Sequence, residues 1–253
     1  MWNLLLAGAR DSHAFAVVVL LVGAIVGAPV AVFFWDFHAA VWPFLIASSA
    51  LELAYFGLLA FAYTHAELSV VYPLARGLAP VLVLAGAVVF TGAGTSARQV
   101  SGVVLVGAGI LLVRGVRGGR GAWLAVLIGC VIASYTVVDK HGVAHASPVA
   151  YLELMSTFTG LAYASIFVAV RGLRGLRAEV GWKSVGAGVG TFTAYACVLA
   201  ALQLASAASV AAVRESGVLV ATALGAIFLH ERVTPWRAGG AVLVVAGVAL
   251  LGA

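Results

Sequence analysis

The sequence predicts an all-α, polytopic membrane bundle built from two related bundles of hydrophobic helices. Three observations predict it: an extreme apolar composition, a succession of apolar runs of spanning length, and a similarity between the two halves of the chain. Hydrophobic residues make up 64% of the 253 and charged residues only 9%, whereas soluble domains carry about 25% charge. A soluble chain of this length could bury a sizeable core but would still need a charged surface. This one is expected to be wetted by lipid. Its 30 glycines would weaken soluble helices, but small residues let membrane helices approach closely. Gly23 with Gly27, and Gly186 with Gly190, have that small-xxx-small spacing.

A spanning helix needs about 20 apolar residues. Runs that qualify or nearly so cover 14–34, 42–63, 68–90, 96–113, 122–139, 148–170, 183–204, 208–229 and 235–252. The links are short and carry the breakers: Asp36 to His38, Gly92 to Thr95, Gly115 to Gly121, Ser147-Pro148, Gly172 to Gly181 and Thr234-Pro235. None could hold a separate soluble domain.

A shift of 140 places Ala54-Tyr55 on Ala194-Tyr195, Leu59-Ala60 on Leu199-Ala200, Ser69-Val70 on Ser209-Val210 and Gly77 on Gly217. A shift of 139 places Thr95 on Thr234 and Arg98 on Arg237. Internal repeats of this kind mark transporter folds. They divide the chain into a first repeat at 1–114 and a second at 121–253, within one integral membrane domain. The second repeat reads as five helices. The first offers four plus a stump, Trp2 to Ala9, which would cross only about 12 Å of a roughly 30 Å hydrocarbon core. Nine full spans plus a truncated first helix are therefore expected. Met1 is expected to be an internal start, with roughly 12 or more residues upstream completing that helix.

Charge sets an expected orientation. Arg10, Arg114, Arg117, Arg120, Arg171, Arg174, Arg177, Lys183, Arg232 and Arg237 fall on one side of the alternating links. Only Arg98 and Lys140 fall on the other. The Arg-rich side should be cytoplasmic, with the N-terminus inside and Ala253 outside. The net charge of +5 thus reflects topology. No soluble basic domain exists to bind nucleic acid. Cys130 and Cys197 lie in apolar runs and read as packing residues. The H-E-x-x-H, G-x-S-x-G and G-x-x-x-x-G-K patterns are all missing from the sequence, so no enzyme and no ATP drive is expected. His141 and His145 have i, i+4 spacing but no third ligand in view. No metal or other cofactor is expected.

The stretch SVVYPLARGLAP at 69–80 and the ending LGAIFLHERVTPWRAGGAVLVVAGVALL at 224–251 resemble EamA-type members of the drug/metabolite transporter superfamily. WNLLLAGARD at 2–11 resembles the end of that family's first helix, and YTVVDKHGV at 135–143 its counterpart in the sixth. Glu231-Arg232 with the turn at Thr234-Pro235 is the most specific element. The first half departs from the pattern, with TGAGTSARQ at 91–99 where the family often repeats the Glu-Arg pair. The resemblance covers nearly the whole chain. It implies ten helices in two inverted repeats, moving small metabolites by alternating access in the cytoplasmic membrane of a bacterial cell. A homodimer is compatible with the sequence.

Ionisable groups in the bilayer core are costly and face a cavity or a partner. Glu52, Arg76, Arg214 and Glu215 are such groups. Glu52 and Tyr55 share a helix face, as do Tyr72 and Arg76. Pro73 and Pro80 lie on either side of Arg76, and each frees a backbone carbonyl. In one reading Arg76 and Arg214 hold an anionic or zwitterionic solute, with Tyr55, Tyr72, Tyr135 and Tyr195 lining the cavity. In the other, Glu52–Arg76 and Arg214–Glu215 are structural ion pairs. Asp139 and Glu153, near helix ends, are expected to be solvated or snorkelling. Tyr63 and Tyr151 read as interfacial belt residues. Glu52 is the better proton candidate, since burial favours a neutral carboxyl. The leading expectation is a secondary transporter or exporter of a small polar metabolite. The rival is an accessory membrane subunit that binds a partner and moves nothing.

Overall fold

The computed structural model describes residues 9–65, 68–92, 94–114, 122–217, 220 and 234–252. Among them the fold is all-helical: α1 Ser12–Phe33, a 3-10 turn Ala39–Val41, α2 Trp42–His65, α3 Leu68–Thr91, α4 Ala97–Arg114, α5 Ala122–Gly142, α6 Pro148–Arg171, α7 Leu173–Glu179, α8 Trp182–Leu204, α9 Ala207–Arg214 and α10 Pro235–Gly252. Nearly all of the stump at Trp2 to Ala9, and Glu231-Arg232, lie outside the described residues. Five helices (α1, α2, α5, α6 and α8) are long and apolar enough to cross a membrane. Bulky apolar side chains stand on the surface, Phe90 at 86% and Leu204 at 89% exposure. That is the surface lipid would wet.

One reading of the apolar runs is corrected. The run at 208–229 is not one continuous helix. α9 stops at Arg214, where the Glu215 N–H donates to the Ala212 carbonyl and the Ser216 N–H to the Val213 carbonyl. Glu215 and Ser216 form a turn, and the chain is helical again at Gly217. By contrast, α3 runs unbroken through Pro73 and Pro80.

The helices fall into two compact units, one within 1–64 and 138–204, the other within 65–137 and 205–253. In the first, α1 packs against α6, α7 and α8, and α6 also meets α8. Gly23 faces the Gly188 carbonyl, where a Cβ would stand 3.4 Å away, and a Cβ on Gly188 would stand 2.9 Å from the Val19 carbonyl. Gly27 lies under the Phe192 ring. Gly186 and Gly190 face open space instead, so the close approach on α8 belongs to Gly188, two residues from each.

The two ends of this unit differ in charge. At one, Asp11 caps α1, its Oδ1 accepting the N–H groups of His13 and Ala14. Its Oδ2 pairs with Arg171 at 2.7 Å, and its own N–H donates to Glu179. At the other, the loop Asp36–His38 pairs with His145–Ser147 through Ser147 N–H to the Asp36 carbonyl and His38 N–H to the His145 carbonyl. Ser147 caps α6, with Pro148 in its first turn. Proline has no N–H to leave unsatisfied there. Lys140 reaches the Leu202 carbonyl at the end of α8. The arginines of this unit thus gather at one end, as a membrane topology requires.

In the second unit α4 lies against α10, and both touch α9, while α3 packs on α4 and α9. The α4–α10 contact is antiparallel and glycine-lined. A Cβ on Gly109 would meet the Gly240 carbonyl at 2.6 Å, and one on Gly247 would meet the Gly102 carbonyl at 2.6 Å. Val113 leans on Gly240, and Leu251 on Gly102. A shift of 138 carries Gly102 to Gly240, Val106 to Val244, Gly109 to Gly247 and Val113 to Leu251. Under it, each of these contacts maps onto another in the set, the reciprocity of a two-fold contact.

Candidate functional site

Two polar clusters stand inside the helical units. The first centres on Asp139, one turn before the end of α5 and wholly buried. Three hydroxyls donate to it: Ser48 from α2 at 2.5 Å, Tyr151 from α6 at 3.0 Å and Tyr195 from α8 at 2.5 Å. Ser48 also lies 3.2 Å from the Met155 sulfur. The Tyr151 ring reaches Asp139 because Gly142 carries no side chain. A Cβ there would stand 2.5 Å from the ring. Four helices therefore converge on one carboxylate.

Glu52 belongs to the same unit. It follows Ser48 by four residues on α2 and so shares its face. Its carboxylate is within electrostatic reach of Asp139, with Thr159 of α6 beside it, and its Oε2 is buried without a hydrogen-bond partner. Thr159 donates in turn to the Ser49 carbonyl at 3.3 Å. A second buried carboxylate, Glu153, points elsewhere: its Oε2 lies against Gly27. The expectation that Asp139 and Glu153 are solvated is thus corrected, since both are buried. So is the belt reading of Tyr151, which is 0% exposed. The Tyr63 side chain lies outside the description. His141 and His145 both stack on Phe44.

The second cluster centres on the break after α9. Arg76 of α3 donates to Glu215 Oε1 at 2.6 Å, and Arg214 Nε lies 3.6 Å from the same oxygen. The side chains of Arg76, Arg214 and Glu215 are 20%, 17% and 9% exposed. Two guanidiniums thus share one carboxylate oxygen. Arg76 therefore forms an ion pair with Glu215. Tyr72 lies in α3 with its side chain outside the description. Tyr135 is buried in α5 and Tyr55 in α2, where Tyr55 meets Phe56 edge-on.

Of the residues singled out in the sequence, the structure brings together Arg76, Arg214 and Glu215, and it brings Tyr195 to Asp139. Sequence reasoning missed Asp139, Ser48 and Tyr151 as a group. The available signal was an acid inside an apolar run, one residue before Lys140. The apolar run ends at 139, which makes Asp139 look like a solvated helix end, but α5 continues to Gly142.

A family model described as the EamA-like transporter family matches residues 119–253. The chain belongs to the EamA-like transporter family. Membership and the five apolar spans make it an integral membrane protein of transporter type. A solved crystal structure is similar to it, with a TM-score of 0.72 at 15% identity over 97% of this chain and 89% of that one. At that identity the likeness shows the fold alone. Comparison with curated proteins gives no match.

Proposed function

We propose that this EamA-like protein is a secondary transporter or exporter of a small anionic or zwitterionic metabolite, working by alternating access without catalysis. The observation that carries the reading is the Arg76–Glu215–Arg214 cluster at the interruption after α9. Discontinuous helices bearing charge are where transporters of inverted-repeat design hold substrates. Two guanidiniums gathered on one carboxylate suit a carboxylate, phosphate or amino acid. Arg76 offers a planar fork to the solute's anionic group, and Glu215 meets a cationic group when one is present. Tyr72 and Tyr135, and Glu52, Tyr55 and Tyr195, remain proposed contacts for the solute along its path.

The architecture we propose is that of two inverted five-helix repeats, 1–114 and 121–253. The reciprocal α4–α10 contact supports the inverted relation, as does the packing of α1 on α6 and α3 on α9, which pairs repeat-mates. The protein would lie in a bacterial cytoplasmic membrane with its Arg-rich links inside, as a monomer or a homodimer.

A thermal-stabilisation screen of the purified protein tests the solute class. Ligands raise the melting temperature by mass action. Amino acids, organic phosphates or phosphonates should raise it for the wild type and not for Arg76→Gln. A rise with cationic drugs alone would contradict the anion reading.

A further inference from the structure

We propose that Glu52 carries an exchangeable proton within the Asp139 cluster, and that this carboxyl is the protein's ion-coupling site. The geometry separates the two acids. Asp139 accepts three O–H donors, from α2, α6 and α8, and hydrogen bonds to the charged form of a carboxylate stabilise it. Glu52 has the Thr159 hydroxyl beside its carboxyl, but its Oε2 is buried without a donor. Burying an ionised carboxylate that is so sparsely bonded is costly, and the neighbouring Asp139 charge adds to that cost. A proton on Glu52 removes both. The groups facing Glu52 are Asp139 from α5 and Thr159 and Tyr151 from α6. Tyr195 of α8 faces Asp139. The nearby Lys140 amine is turned to the Leu202 carbonyl, and Glu153 faces Gly27.

The placement also suits coupling. Ser48, Tyr151 and Tyr195 tie three helices to Asp139, so a proton passing from Glu52 to Asp139 would weaken the acceptor that holds them together. Proton occupancy and helix packing are then linked at one residue, which a gradient-driven carrier needs.

The test labels the wild-type protein in lipid vesicles with a hydrophobic carbodiimide, which attacks protonated carboxyls in apolar surroundings, and locates the adduct by peptide mass spectrometry. The expected label is on Glu52, falling about tenfold per pH unit once the group ionises, and missing from Glu52→Gln. Label on Asp139 or Glu153 in place of Glu52 overturns the proposal. So does label on Glu52 that ignores pH, or that is suppressed by sodium at fixed pH. This readout holds whether or not a solute moves. Only the coupling role rests on the transporter reading. In proteoliposomes, a pH gradient should drive accumulation of whichever amino acid or phosphonate is carried, and Glu52→Gln should lose that drive. Undiminished drive in Glu52→Gln overturns the coupling role.

Discussion

Arg76 Nη1 lies 2.6 Å from Glu215 Oε1, joining a helix that runs through two prolines to the turn where α9 breaks. Truncating one member of a buried pair leaves an uncompensated charge and costs about 3–5 kcal/mol. Partial exposure places Arg76→Ala and Glu215→Ala toward the lower end. Replacing both members with Gln should recover part of that loss in thermal unfolding, because only the longer Arg214–Glu215 contact at 3.6 Å is then lost without compensation. Equal destabilisation in single and double variants would show that the pair contributes nothing as a pair.

The glycine seam predicts opposite signs for one substitution at different sites. Gly109→Ala places a Cβ 2.6 Å from the Gly240 carbonyl and should cost about 1–3 kcal/mol through overpacking. Gly186→Ala meets open space and should be neutral or stabilising by up to about 1 kcal/mol, since Ala is the better helix former. Melting temperatures in detergent read both. A tolerated Gly109→Ala would refute the close α4–α10 approach.

The hydroxyls on Asp139 should each carry measurable stability. Hydrogen bonds to charged groups contribute about 1.5–3 kcal/mol. Tyr151→Phe and Tyr195→Phe should fall in that range, and each should lose most of its effect in an Asp139→Asn background. Additive effects in a double-mutant cycle would mean that the hydroxyls do not act through Asp139.

The cap of α1 gives a pH dependence. Burial works against ionisation of Asp11, but the Ala14 N–H and the Arg171 guanidinium outweigh it and hold the carboxyl below its ordinary value. A carboxyl lowered by folding contributes stability above its unfolded pKa and loses it as pH falls through the folded value. Asp11→Ala should therefore cost about 0.5–2 kcal/mol at neutral pH. The gap from wild type should close below about pH 4. A gap that persists unchanged in acid would show that the carboxylate charge is not what the cap uses.

The membrane bundle was legible because lipid-facing surface is a property of composition. The helix positions were legible because Gly, Pro and Ser-Pro mark the links. Arg76, Arg214 and Glu215 announced themselves as charges in apolar runs. Their mutual arrangement did not, since the break at Glu215 has no proline or glycine at the turn itself and interrupts an otherwise ordinary run. The Asp139 cluster was hidden differently. Its members come from α2, α5, α6 and α8, far apart in sequence, and Tyr151 resembles any tyrosine near a membrane interface until its neighbours are known. The working glycines were mistaken in part because spacing within one helix, as at Gly186 and Gly190, says nothing about which face a partner covers.

The central claim is that this chain moves a solute, and the most direct measurement is flux in proteoliposomes. Wild-type protein and the Arg76→Gln/Glu215→Gln double variant would be reconstituted beside protein-free vesicles. Each would be assayed for uptake and efflux of amino acids, organic phosphates, phosphonates and cationic drugs. The account predicts flux of an anionic or zwitterionic solute through the wild type, lost in the double variant although that variant still unfolds cooperatively. A folded wild-type protein that carries none of these above protein-free vesicles, yet co-purifies with another membrane subunit, would contradict it.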